Sequence, residues 1–279
     1  MNEGILIKKK VRLQLIVITS ILVLLMYPYT YRMIKNFFMD LYVGIKINLL
    51  EQKREEKIHT NNRTFVAIMF DSGYESVYEN AFSILKEKEF TGSVGIIPSL
   101  LNEAGYMDYN QISTLYVNGW DVVNQTYHSK GDMYNNCEEL LEDIQRAKKW
   151  MDLKYLKGAS DRVIIPYGEL NPYLIPLLKE KGYISVRTSD NIILLQTEEI
   201  MYYDIKVLNV QSDHSAEMVI DFIHSANKNN KDVLIIFNKI EESSYQNTMS
   251  YPIKEFKEII DYIYSNDSLF QVVNYTDLQ

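Results

Sequence analysis

The stretch "FVAIMFDSGYESVYENAFSILKEKEF", residues 65–90, decides how the rest of the chain is read. From Phe65 to Phe70 every residue is apolar, the pattern of a strand buried on both faces. The run stops at Asp71, Ser72 and Gly73 and gives way to apolar residues at helical spacing. Gly73 permits a tight backbone turn. In parallel α/β folds strand C-termini open onto the face where the connecting loops gather, so a carboxylate in such a turn is a candidate for a ligand site. The same residues also read as an ordinary turn before a helix, with Ser76 and Glu79 fitting a capping box.

Working outward, short β-rich runs alternate with longer amphipathic segments. Strands are expected near 64–70, 93–97, 120–124, 162–165, 183–187, 203–209 and 232–237. Helices are expected near 76–89, 136–152, 171–181, 215–227 and 252–265. This alternation argues for an α/β fold with a parallel sheet or barrel. The helical stripes Leu140, Leu141, Ile144, Ala147, Met151 and Ile253, Phe256, Ile259, Ile260, Ile263 are core packing. Several other apolar runs end as the run at 65–70 does: Asn124, Gln125 and Thr126, Asp190, Asn238 and the turn Pro166-Tyr167-Gly168 each follow one. Either these segments converge on one shared site, or they are polar because loops are wet.

Composition bounds the function. The chain has 279 residues, 47% hydrophobic and 24% charged, with a net charge of -8. Residues 1–60 hold 10 Lys+Arg against 5 Asp+Glu, leaving 19 against 32 in residues 61–279. So acidic a body repels a phosphate backbone, which excludes nucleic acid as a partner. The single cysteine, Cys137, can form neither an intramolecular disulfide nor a cysteine-based metal site. The basic segment 1–12 precedes an uncharged run at 13–31, long enough as a helix to span about 28 Å, near the thickness of a bilayer core. Lys8, Lys9, Lys10 and Arg12 favour a cytoplasmic N-terminus with the remainder exported. A cleaved signal peptide and a buried core helix are the competing readings; no small-x-small cleavage site follows the run, which favours an uncleaved anchor. Residues 32–63 read as a juxtamembrane helix and polar linker, and 64–279 as the folded domain.

The motifs resemble the polysaccharide deacetylases of the NodB-homology type, carbohydrate esterase family 4. The family's Phe-Asp-Asp-Gly is similar to Phe70-Asp71-Ser72-Gly73. Its Gly-His/Trp-x-x-x-Asn-His-Thr-x-x-His is similar to "GWDVVNQTYHSKGDM" at 119–133, and its Arg-Pro-Pro-Tyr-Gly to "IIPYG" at 164–168. Asp190 and "DVLIIFNKI" at 232–240 resemble the fourth and fifth motifs. The resemblance implies a distorted (β/α) barrel with the motifs at one mouth, and action on acetylated cell-wall glycans. It also implies a divalent metal that polarises the acetyl carbonyl and activates water. At the family's metal-ligand positions this chain has Ser72, Gln125 and Ser129. Ile164 stands for the orienting arginine, Phe237 for the general-acid histidine and Asn238 for the aspartate after it, while Asp71 matches the catalytic base. A hydroxyl and a carboxamide are weak ligands for zinc.

The sequence-based expectation is therefore a membrane-anchored, extracytoplasmic deacetylase-like protein, catalytically impaired, that binds a cell-wall or extracellular glycan or an envelope protein. The expected binding residues are Ser72, Asn124, Gln125, His128, Pro166, Tyr167, Gly168, Asp190 and Asn238, with no cofactor. Three alternatives stand beside it: a zinc-like divalent metal in a shifted site of Asp71, His128 and Asp132; an active hydrolase using Asp71 and a second carboxylate such as Asp190; and a scaffold subunit of an envelope complex.

Overall fold

The computed structural model describes residues 63–128, 136–165, 170–195, 201–243 and 248–278, all within the compact unit Arg54–Gln279. The candidate anchor at 13–31, Ser129, Asp132 and the turn Pro166-Tyr167-Gly168 lie outside these residues. Among the described residues no helix is long and apolar enough to cross a membrane.

The described residues hold twelve strands: β1 (Thr64–Phe70), β2 (Ser93–Ile96), β3 (Asp121–Asn124), β4 (Ala159–Ile164), β5 (Ser185–Arg187), β6 (Ile192–Leu194), β7 (Met201–Tyr202), β8 (Ile205–Asn209), β9 (Asp232–Phe237), β10 (Lys239–Glu241), β11 (Ser250–Pro252) and β12 (Phe270–Val273). Six helices accompany them: α1 (Phe82–Glu87), entered through a π-helical turn Val77–Ala81, α2 (Tyr109–Val117), α3 (Cys137–Leu153), α4 (Leu174–Glu180), α5 (Ala216–Lys228) and α6 (Ile253–Ser265).

The main sheet runs β7-β6-β5-β4-β3-β2-β1-β9-β8, with β12 added beside the first half of β1. All neighbours are parallel except the β5-β6 and β6-β7 pairs. Although β7 and β8 stand at opposite ends of this order, only residues 203 and 204 join them. Three Cα–Cα steps reach about 11 Å at most, so the sheet must curl until its ends meet. The expected barrel is thus a rolled sheet with a seam beside β8, where Tyr203 N–H donates to Ile192 O at 2.9 Å.

Side-chain alternation sorts the strands into two layers. Phe65, Ala67 and Met69 of β1, Val123 of β3, Ile164 of β4, Ile192 of β6 and Leu234 and Ile236 of β9 fill the interior of the curl, closed below by Tyr275 and Leu278. The opposite parity meets the helices. Phe70 stacks on Phe237 and Trp120 and meets Phe256 edge-on, while Val163 and Val186 pack with Leu140, Ile144 and Leu178 of α3 and α4.

Two local expectations are corrected. Ser76 makes no side-chain cap; its Oγ instead accepts from Ile240 N–H at 3.3 Å, so a tertiary contact takes the hydroxyl that a capping box would use. Helix α2 was not expected, although it carries its own signature. Asp108 Oδ1 accepts from Gln111 N–H at 2.7 Å, and Gln111 Oε1 accepts from Asp108 N–H at 2.8 Å.

Candidate functional site

The interior parity of β1 continues through Phe65, Ala67 and Met69 to Asp71, which therefore emerges at the mouth of the curl. Its carboxylate does not stand alone. Arg187 Nη2 donates to Asp71 Oδ1 at 2.6 Å and to Oδ2 at 2.7 Å. Arg187 is only 1% exposed, while the Asp71 side chain keeps 16%. The contact buries one full charge against another at the rim of the cavity, and Arg187 Nη1 also donates to Thr188 O at 3.2 Å.

Arg187 was not singled out from the sequence. It ends β5, directly across the ladder from Ile164 of β4. Ile164 is the residue that the resemblance matches to the family's orienting arginine; Arg187 stands at the same level one strand over. Asp190, three residues on, is exposed in the β5–β6 turn, where its N–H donates to Thr188 Oγ1 at 3.4 Å.

Beside this ion pair, Ser72 N–H donates to Gln125 Oε1 at 2.7 Å and Gln125 Nε2 donates to Ser72 Oγ at 3.4 Å. The pair bridges the ends of β1 and β3 above Gly95 of β2. A Cβ at Gly95 would lie 2.5 Å from Gln125 Oε1 and 2.6 Å from Ile164 Cδ1. Glycine is what lets both side chains lie across the middle strand.

The segment after β3 is held from the helix layer. Asn124 points out of the curl and donates to Ile144 O at 3.0 Å, while its Oδ1 accepts from Thr126 N–H at 3.0 Å. Asp143 of α3, 5% exposed, accepts from Tyr127 N–H at 2.9 Å and His128 N–H at 2.8 Å, and its Oδ1 lies 2.7 Å from His128 Nδ1. Asp143 was also missed. It sits among the apolar residues of the α3 stripe, where its burial was the available signal. Two non-glycine residues here have left-handed backbone, Ser72 (φ 71°) and Thr126 (φ 65°). Each such residue costs about 1–2 kcal/mol, a strain that collects where surrounding structure over-determines the loop.

At the end of β9, Phe237 turns away from the mouth. It packs on Phe70, Phe256 and Tyr251, and its carbonyl accepts from Asp71 N–H at 2.9 Å. Strand parity puts the next inward-facing place at Asn238, which is half-buried.

A family model described as polysaccharide deacetylase matches residues 59–186, which include β1 through β4 and the Asp71, Ser72 and Gln125 positions just described, and end one residue before Arg187. Over those residues the chain is similar to the polysaccharide deacetylase family. Poly-beta-1,6-N-acetyl-D-glucosamine N-deacetylase of Staphylococcus aureus strain MRSA252 is 27% identical to it over 131 residues, 42% of this chain. The match takes in 45% of that relative, so the chain spans under half the length of the curated relatives it resembles. Among solved structures, the fold is similar to the peptidoglycan deacetylase PdaC from Bacillus subtilis, with a TM-score of 0.52 at 14% identity, covering 78% of this chain and 92% of that one. It is also similar to the Xyl-CE4 domain of a multidomain xylanase from the hindgut metagenome of Trinervitermes trinervoides (0.51, 13%, 77% and 89%).

The resemblance implies a metal, and the described donors of this chain do not fit it. Ser72 and Gln125 are bonded to each other, Asp71 is engaged by a guanidinium and His128 by Asp143. Among the described residues no group of three or more His, Cys, Asp or Glu could hold a metal ion.

Proposed function

We propose that this chain is a membrane-anchored, extracytoplasmic deacetylase-like protein whose mouth binds an N-acetylated glucosamine polymer without deacetylating it. The observation that carries the reading is the Ser72–Gln125 pair: two neutral side chains satisfy each other across β1 and β3 where the family has an aspartate and a histidine for its metal. The curated relatives, named for a poly-β-1,6-N-acetylglucosamine substrate, support the glycan class. Half-buried tyrosine rings suit it as well. Tyr74, in the β1–α1 loop, stacks on Tyr106 with centroids 5.0 Å apart, and Arg146 covers Tyr127 at 3.9 Å. Such rings bind the apolar faces of sugars while their hydroxyls stay wet. The anchor rests on residues 13–31, with Lys8, Lys9, Lys10 and Arg12 favouring a cytoplasmic N-terminus.

A second reading, an active divergent hydrolase, is favoured by one observation: Asp71 is retained at the base position and held in place by Arg187. The two readings separate in one experiment. The full chain is titrated with a β-1,6-linked N-acetylglucosamine oligomer, and acetate release is followed with and without added zinc or cobalt. We expect saturable binding and no acetate, with metal-dependent release gained only by the Ser72→Asp, Gln125→His, Ser129→His variant. Metal-stimulated acetate release by the natural chain, lost in Asp71→Ala, would overturn the proposal.

A further inference from the structure

The end of α3 carries groups that the mouth does not use. Asp143, in the middle of this helix, holds the loop after β3 at the mouth. At about 1.5 Å per residue, Leu153 at the helix end lies about 15 Å farther from it. The helix therefore ends on the side where the strands begin, the side from which Arg63 leads the chain into β1. There Gly158 N–H donates at 3.3 Å to the hydroxyl of Tyr116, near the end of α2.

The helix closes in a turn that ordinarily takes glycine. Tyr155 N–H donates to Asp152 O at 3.2 Å and Leu156 N–H to Met151 O at 3.0 Å, the paired bonds of a C-terminal cap with one left-handed residue. That residue is Tyr155, with φ 61°, a conformation that only glycine adopts without strain. Leu156 and Met151 are buried and fix the turn, whereas Tyr155 is 50% exposed and Leu153 70% exposed. Among the described residues the Tyr155 side chain makes no hydrogen bond or ring contact. The backbone is strained to present a ring that the fold itself does not use. Trp150, one turn back, meets Tyr109 edge-on with centroids 6.3 Å apart. Around this apolar tip the charge is basic: residues 148–157 hold four lysines against one aspartate, in an otherwise acidic domain. Lys148 is engaged by Asp152 at 3.4 Å. Lys149 and Lys157 make no ion pair among the described residues, and Lys154 lies over the Tyr109 ring at 4.9 Å.

We propose that this turn docks on the surface of an anionic bilayer, with Leu153 and Tyr155 entering the headgroup layer and Lys149, Lys154 and Lys157 facing lipid phosphates, so that the mouth is held away from the membrane. A leucine and an amphipathic ring beside ammonium groups on flexible stems suit that interface. The tip is a turn with outward side chains and no groove, so it is shaped to insert into a soft surface. The proposal rests on the membrane reading of residues 13–31 for the presence of a bilayer and is independent of the glycan reading.

The test places the full chain in phosphatidylcholine vesicles, with and without phosphatidylglycerol, and follows quenching of tryptophan emission by brominated acyl chains. The chain has two tryptophans, of which Trp120 is buried, so quenching reports Trp150 and should vanish in Trp150→Phe. It is expected with phosphatidylglycerol and should fade as salt is raised. Lys149→Ala/Lys154→Ala/Lys157→Ala should lower the ratio of docked to undocked domains by about a hundredfold, because each lysine at an anionic surface is worth about a factor of five. Tyr155→Gly should weaken docking while raising the urea midpoint of the domain, a combination that a structural role for the ring would not produce. Unquenched Trp150 in a chain that has entered the vesicles, or equal quenching without phosphatidylglycerol, would overturn the proposal. So would docking that survives Leu153→Ser/Tyr155→Gly, which would point to a soluble polyanion or an acidic protein as the occupant. A chain that stays out of the vesicles altogether would refute the membrane anchor together with the docking turn.

Discussion

Removing both members of the Asp71–Arg187 pair should destabilise the fold no more than removing the worse one alone. Arg187 is 1% exposed and cannot shed its proton, so Asp71→Asn leaves a full positive charge in the barrel interior facing only neutral acceptors. Breaking a buried pair from one side costs about 3–5 kcal/mol. Arg187→Met leaves the opposite charge, but on a side chain 16% exposed at the rim, where water offsets part of the loss; about 2–3 kcal/mol is expected. The double variant carries no orphaned charge and should cost no more than the worse single variant, giving a coupling of about 2 kcal/mol or more. Urea unfolding of the full chain, followed by tryptophan fluorescence, measures this directly, because Trp120 stacks on Phe70 within the domain. For slopes of about 1–3 kcal/mol per molar urea, Asp71→Asn should lower the midpoint by about 1 M or more. Single effects that add to within about 0.5 kcal/mol would mean the two charges are solvated separately, and the ion-pair argument would fail.

The other predictions concern neighbouring parts of the same architecture. Asp143→Ala should cost about 2–4 kcal/mol, since two backbone N–H groups and an imidazole lose their acceptor; His128→Ala loses one part-exposed contact and should cost clearly less in the same unfolding assay. Gly95→Ala should cost about 1–3 kcal/mol by displacing Gln125 and Ile164, and a Gln125→Ala background should relieve part of that cost; an equal penalty in both backgrounds would refute the close-approach argument. Phe237→His should destabilise by about 2–4 kcal/mol and create no proton donor at the mouth, because the ring lies between Phe70, Phe256 and Tyr251. Burial raises the Asp232 pKa from 3.8, so the folded state holds that proton more tightly than the unfolded chain. Its contribution is therefore favourable below 3.8 and falls as pH rises through the folded pKa. Asp232→Asn, which keeps the acceptor for Phe65 N–H, should gain on the natural chain over that window in pH-dependent unfolding.

The barrel was legible in the sequence because its signals are local. Apolar runs, helical stripes and the turn at Asp71-Ser72-Gly73 each depend on a few adjacent residues, and β1 to β5, β8 and β9 fall within a few residues of where periodicity puts them. Short pieces with weak periodicity were not legible. The three residues of β6, the two of β7 and the strand pair β10-β11 depend on neighbours supplied by the fold, and β12 forms because the first half of β1 leaves an edge to cover.

The sequence by itself determined that a carboxylate, a hydroxyl and a glycine end the first strand, that the residues at 72 and 125 are neutral, and that a histidine follows at 128. Only the tertiary structure decided what those groups do. Asp71 and Arg187 are 116 residues apart and meet because β4 and β5 are in register and share an inward parity with β1. Asp143 reaches His128 because α3 packs its buried stripe against the sheet beneath the β3 loop. Phe237 is lost to the mouth because a one-residue step along a strand reverses the direction of its side chain. Local pattern sets which chemical groups a chain owns, but the pairing of charges depends on strand order and parity, which only the assembled sheet supplies.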